Sequence, residues 1–272
     1  MNIRSLLFFA FMFSAYTSMS SQKVYSIQEA LQKNYILLQL EGVPESTPSK
    51  ALHYGACMSY KVINKTKIDF AVTFEAGRLL DCTDTQFQTM VVTRDHTVDL
   101  KPSASSSGRI YAMCSQYKKK APVHSSRYVL GDMAGPELRG LVNYINRNHI
   151  QTSDAQLAVW SITDNVSIAH MKESNNPVLS QLYNQAHYFK THKEPVTKKI
   201  QFKTQFSEEG KVFIYVFDQN NKKVQVLLSN TIADIDVLSY SFWVANTDYG
   251  PGKYKAILFY NGKAYQETEF DF

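Results

Sequence analysis

Cysteine is scarce in this chain of 272 residues: Cys57, Cys82 and Cys114 stand far apart and form no C-x-x-C pair. Structural zinc sites use closely spaced ligand pairs, so that class is set aside. His96, His124, His149 and His170 are dispersed without metal-ligand spacing, and no metal or cofactor is expected. A Gly-x-Ser-x-Gly elbow is missing, which removes the α/β-hydrolase serine. Glycine-rich phosphate loops are missing too. Cys114, His124 and Asp132 supply the residue types of a triad, but geometry and not composition defines one. Asp81, Asp84 and Asp95 could pair as glycosidase carboxylates, yet they fall where surface turns use aspartate. Charge is sparse, at 19% of residues, with a net +5. Its dense basic runs, Lys118–Lys120 and Lys198–Lys199, read as solvated element ends. No basic stripe is interleaved with aromatics, so nucleic acid is not an expected partner. Beyond the first twenty residues nothing approaches the ~18 consecutive apolar residues of a membrane helix.

The N-terminus itself carries a strong signal. Arg4 is followed by the apolar run Leu6–Phe13, too short to span a bilayer, and then by the small residues Ser18 and Ser20. Residues 1–20 are therefore expected to be a secretory signal peptide, cut near Ser21. Export brings the chain to an oxidising compartment, outside the cytoplasm, in the periplasm, at the cell surface or in the medium. Three cysteines there predict one disulfide among Cys57, Cys82 and Cys114 with one thiol left over. Asn64-Lys-Thr66 and Asn165-Val-Ser167 match glycosylation sequons, relevant only in a eukaryotic secretory route.

Seventeen Tyr and sixteen Phe favour strands. Ser26-Ile-Gln-Glu29 is a capping box that opens a short helix over Ile27–Lys33. Strand patterns follow at Tyr35–Leu40, Tyr54–Ile63, Ile68–Glu75, Phe87–Thr93, Thr97–Leu100 and Arg109–Cys114, with Ser103–Ser107 a polar loop. Their short length and turn spacing predict an antiparallel β-sandwich. Helical periodicity then takes over: Pro136–His149 carries Leu138, Leu141, Val142 and Ile145 on one face, Asp154–Thr163 is apolar nearly all round, and a third helix starts at Pro177. Residues 21–190 thus read as a sandwich with a C-terminal helical cap. Residues 191–197 read as a linker, and residues 198–272 as a small immunoglobulin-like β-sandwich. In that last part Gln219-Asn-Asn221 and Asn261-Gly262 mark hairpins. The fold class is mainly β.

Within that last part, Val212-Phe-Ile-Tyr-Val-Phe-Asp218, Lys222-Lys-Val224, Gly252-Lys-Tyr254 and Asn261-Gly262 carry a resemblance. It is to the C-terminal immunoglobulin-like modules of bacterial secreted and cell-surface proteins, of the flagellar-hook-capping type or the type IX secretion sorting type. The Pro-Asn-Pro opening of a sorting domain is absent before Lys198. The resemblance implies display or export rather than chemistry. Separately, Ala155-Gln156-Leu-Ala158-Val159-Trp160 resembles the Gln-x-Ala-Ile-Trp motif of bacterial thioester-domain adhesins. That resemblance implies Gln156 as acyl donor, Trp160 as packing aromatic and Cys57 as the upstream thiol, although Ala56 stands where the family has tyrosine. The residues alone allow a plainer reading, in which Ser153-x-x-Gln156 is a capping box and Trp160 is core. The expectation is an exported, non-enzymatic envelope or secreted protein that binds an unknown surface or envelope ligand. A covalent adhesin is the alternative, and an unrecognised secreted enzyme the third.

Overall fold

The computed structural model describes residues 23–43, 52–192, 196–233 and 237–272. The expected signal segment, most of the loop before Leu52, and Lys193–Pro195 of the expected linker lie outside the described residues. The fold is mainly β with helices inserted after the ninth strand. In chain order the elements are β1 (Val24–Ser26), α1 (Ile27–Gln32), β2 (Ile36–Gly42), β3 (Tyr54–Asn64), β4 (Phe70–Phe74), β5 (Arg78–Cys82), β6 (Met90–Val92), β7 (His96–Leu100), β8 (Ser105–Cys114) and β9 (Arg127–Met133). Then come α2 (Pro136–Asn148), α3 (Ser153–Thr163), α4 (Ala169–Lys172), α5 (Pro177–Thr191), β10 (Thr197–Gln205), β11 (Gly210–Asp218), β12 (Lys223–Ala233), β13 (Val237–Ala245), α6 (Asn246–Tyr249), β14 (Lys253–Tyr260) and β15 (Lys263–Asp271).

Six antiparallel strands close into a barrel in the order β2-β3-β8-β6-β5-β9, while β1, β4 and β7 form a separate three-stranded sheet. The sequence predicts a sandwich here, and the difference comes from two strands it does not reveal. Arg78 and Asp81 in β5, and Arg127, Gly131 and Asp132 in β9, break the apolar alternation that marks a strand. Yet β9 pairs with both β2 and β5, and so completes the ring and removes its open edges. Ser105–Ser107, read as loop, is the first part of β8, because Ile63, Val62 and Lys61 of β3 pair with it. Pairing overrides the weak strand propensity of serine.

Both faces of the β6–β8 region are buried. Met90, Val92, Ala112 and Cys114 belong to the barrel core with Phe70 and Phe74. Val91 and Met113, pointing the other way by strand alternation, pack with Leu141, Val142, Ile145, Val159, Leu182 and Phe189 of the helices. Gly140 permits the α2–α5 contact: a Cβ there would lie 2.3 Å from Phe189 Cε1. The third core is Ile200, Phe202, Val212, Ile214, Val216, Val244, Tyr249, Ala256 and Leu258. It lies between the β10-β13 pair and the sheet β12-β11-β14-β15.

The helices and the C-terminal strands meet at a polar seam centred on Arg147. Its guanidinium donates to the carbonyl oxygens of Asp248 and, at 2.5 Å, of Tyr249. Asn143 Nδ2 donates to Thr247 O at 2.8 Å, and Lys222 Nζ to Arg147 O at 2.5 Å. Burial holds the Arg147 pKa below the usual arginine value. The guanidinium remains charged, since arginine's ordinary value lies so far above neutrality. Replacing it orphans two carbonyls in a part-buried seam. Arg147→Met is expected to cost about 2–3 kcal/mol, the scale of hydrogen bonds to a charged group. A urea titration followed by circular dichroism should show a lowered midpoint, and an unchanged midpoint would mean the seam carries no stability.

Candidate functional site

Thr152, not Ser153, is the N-cap of α3: its side chain accepts the Ala155 N–H at 3.2 Å. The capping-box reading of Ser153 and Gln156 is thereby corrected. The β-branched threonine holds the extended backbone a cap needs, and the glutamine is left free to reach outward. Its carboxamide meets the end of β8. Gln156 Oε1 accepts the Cys114 N–H at 2.9 Å, and Gln156 Nε2 donates to Cys114 O at 2.7 Å. The glutamine is 2% exposed, so both amide ends are satisfied away from water. The first helix turn is thus fastened to a barrel strand.

Around that clamp stand His53, Trp160 and Tyr117. His53 Nδ1 lies 3.4 Å from Cys114 Sγ, where it can accept the thiol proton. The Trp160 indole packs edge-on against His53 and Tyr117, with ring centroids 5.4 and 5.0 Å away. Its buried Nε1–H has no hydrogen-bond partner among the described residues. Cys57 is directed elsewhere: its Sγ–H donates to Ala112 O at 3.3 Å. The structure therefore brings Gln156 to Cys114, while Cys57, in β3, stands four residues further along the chain than His53, the residue opposite Cys114. The resemblance to thioester-domain adhesins implied Cys57 as the glutamine's partner. The signal for Cys114 was weaker: it ends a strand, and only the barrel's closure brings that end under α3. His53, just ahead of β3, is held beside Cys114 because the Cys114 N–H also donates to His53 O.

All three cysteines are free thiols in the structure, where the sequence pointed to one disulfide. Burial pushes the Cys57 thiol up to about 12. Burial also raises the Cys114 thiol, with a smaller contribution from Cys57. Tyr128, whose O–H donates to Gln88 O, is raised by burial first and then by Cys82, and the other two cysteines contribute as well. The three thiols and this phenol therefore share one interior. His53 is lowered by burial. The resting state is a protonated thiol beside a neutral imidazole, far from the thiolate that a reactive cysteine needs. Among the described residues no group of three or more His, Cys, Asp and Glu side chains is arranged to hold a metal ion.

A second feature lies on the sheet β12-β11-β14-β15. Val212, Ile214, Val216, Ala256 and Leu258 fill the core, so Phe213, Tyr215, Phe217, Ile257 and Phe259 face the other way and are partly exposed. Tyr215 and Phe259 are 5.5 Å apart by ring centroid, and Lys223 Nζ sits 4.6 Å over the Tyr215 ring. Val226, paired with Tyr215 and 47% exposed, extends the apolar face.

The chain matches no protein-family model and no curated protein. No helix among the described residues is long and apolar enough to cross a membrane.

The thiols give a pH signature. A thiol whose pKa rises on folding supports the fold while it is protonated in both states. For Cys57 that support is intact below its ordinary 9.0 and is lost as pH climbs from there toward about 12. Urea midpoints should fall over that window, and Cys57→Ala should make the fall shallower. Equal slopes in the two proteins would show that this thiol is not linked to folding.

Proposed function

We propose that the protein is exported and works by binding or display at a cell envelope or surface, without catalysis. Residues 21–190 form its first domain, and residues 198–272 an immunoglobulin-like sandwich joined to it through 191–197. The two C-terminal sheets enclosing one core support the sandwich reading. The observation that carries the binding reading is the outward row of Phe213, Tyr215, Phe217 and Phe259. An apolar patch of this kind on a protein surface marks an interaction site. The aromatic rings offer large contact area at low cost in side-chain entropy. The buried thiols and neutral imidazole next to Gln156 support the non-catalytic part. The purified mature protein should sediment with isolated envelopes of the producing bacterium. Phe213→Ser/Phe259→Ser should remain in the supernatant with its melting temperature little changed. Turnover of a peptide, ester or glycoside that one side-chain change abolishes would replace this reading with an enzyme.

A covalent adhesin is a second reading, favoured by the contact between Gln156 and Cys114. In it the cysteine sulfur attacks the Gln156 carboxamide carbon, His53 takes the thiol proton and returns it to the departing nitrogen, and the C–N bond breaks with loss of ammonia. The geometry weighs against that step in the resting state. In a strand the hydrogen bonds lie in the sheet plane and side chains stand perpendicular to it, so the clamped carboxamide and the Cys114 thiol leave the residue in different directions. In the unreacted protein Gln156→Ala should lose about 1–3 kcal/mol, since Cys114 O is left unpaired. Mass decides between the two readings. An unreacted protein has its full sequence mass, and a thioester makes it about 17 Da light through ammonia loss, a deficit absent in Cys114→Ala and Gln156→Ala. A deficit that survives in Cys114→Ala and vanishes in Cys57→Ala would restore Cys57 as the partner.

A further inference from the structure

Two adjoining hollows open at the seam between the helices and the C-terminal strands, away from the clamp; the outer one borders the Phe217 end of the aromatic face, where Lys255 pairs with Phe217. They share Asp218, Gln219 and Tyr254. The inner one, about 170 Å³, is walled by α2, α5 and the turn after β11. The outer one, about 450 Å³, continues along the start of β14 and the end of β15. That outer volume falls within the range of about 300–1,000 Å³ common to small-molecule sites.

The chemistry of the walls limits what fits. Carboxamides dominate the inner hollow, Gln181, Gln185, Gln219, Asn148 and Asn220 among them. Each offers both a donor and an acceptor. The charged groups beside them are engaged or balanced. Arg147 is bound to two carbonyls, and Lys222 to Arg147 O. Asp218 Oδ1 accepts the N–H groups of Asn220 and Lys222. In the outer hollow Lys253 and Lys255 face Glu269 and Asp271. An anion or a cation would meet a like charge at either end, and a purely apolar molecule would strand the amides. Half-buried Tyr144 in the inner hollow and half-buried Phe270 in the outer add flat apolar surface. One side chain is conspicuous: Gln185 lines the inner hollow and is 9% exposed, and its Oε1, tucked against Gly250, has no hydrogen-bond partner among the described residues. A buried polar atom left unpaired is uncommon in folded proteins and calls for a partner.

We infer that this cleft binds a neutral saccharide, one ring in the inner hollow and the next in the outer, with Gln185 and Gln219 accepting and donating to its hydroxyls. Such a ligand joins a hydroxyl-rich rim to a flat C–H face, and those are the two surfaces the cleft presents. The inference goes beyond the aromatic face and does not depend on it.

The test is an array of neutral, sialylated and sulfated oligosaccharides probed with purified mature protein, followed by calorimetric titration of the best neutral disaccharide. Binding to a neutral glycan is expected. Gln219→Ala, on an exposed turn, should weaken it at least tenfold with the melting temperature unchanged. Gln185→Leu should abolish it while the melting temperature holds or rises, because a group that contributes only to folding has no reason to be left unpaired. Phe213→Ser/Phe259→Ser should bind the sugar as the wild type does, which separates this site from the envelope-binding face. An array without a neutral hit, a preference for acidic glycans, or a neutral hit indifferent to both glutamine substitutions would each overturn the assignment.

Discussion

The Gln156 carboxamide closed on both main-chain groups of Cys114 is the contact on which the N-terminal architecture turns. β8 runs through the middle of the barrel wall, with β3 on one side and β6 on the other. Its inner face supplies Ala112 and Cys114 to one core, and its outer face supplies Met113 to another. A strand buried on both faces has no solvent to satisfy a stray backbone group at its end. The helix layer that buries the outer face also provides the side chain that satisfies that end. Packing and hydrogen bonding are thus settled by the same element, α3, whose nearly uniform apolarity suits a helix caught between layers.

The same economy operates at the other end of the helical layer. α2 presents Leu141, Val142 and Ile145 to the helical core, and from its last turns it sends Asn143 and Arg147 to the backbone around α6. One helix therefore reads two neighbours with two faces, apolar toward the barrel and polar toward the C-terminal strands. Because the seam is built from side chain to backbone contacts, its specificity resides in the shape of the α6 turn more than in the identity of the residues there. Gly250, at a φ of +78° and crowded by Gln185, is what permits that shape.

Much of this was legible in the sequence where periodicity was strong. The helices from Pro136 and Pro177, the Ser26 cap and the hairpin at Asn261-Gly262 follow from local rules. The barrel was not legible, because its closing strands carry arginine, aspartate and glycine where an alternating pattern was sought. What makes them strands is partners distant in sequence, and no window of residues contains that information. The site was half legible for the same reason. Gln156 and Trp160 stand out in a short motif, but the cysteine they meet is chosen by the route of β8 and not by spacing. His53, just ahead of β3, became informative only when β3 and β8 were laid side by side. The seam cleft left no sequence trace, since its amides come from two helices and a hairpin turn far apart in the chain.

The ring closes through Leu40 pairing with Tyr128, residues 88 positions apart in the chain. Contacts this distant form late, because a long loop must be closed before the pairing rewards it. Until then the interior that holds Cys57, Cys82 and Cys114 is an open sheet. In an oxidising compartment a free thiol on an open sheet is in a race: closure must outrun oxidation, or a premature disulfide would fix the strands before they have found their register. Once closed, the barrel keeps Cys57 and Cys114 buried and Cys82 half-buried, all three as free thiols.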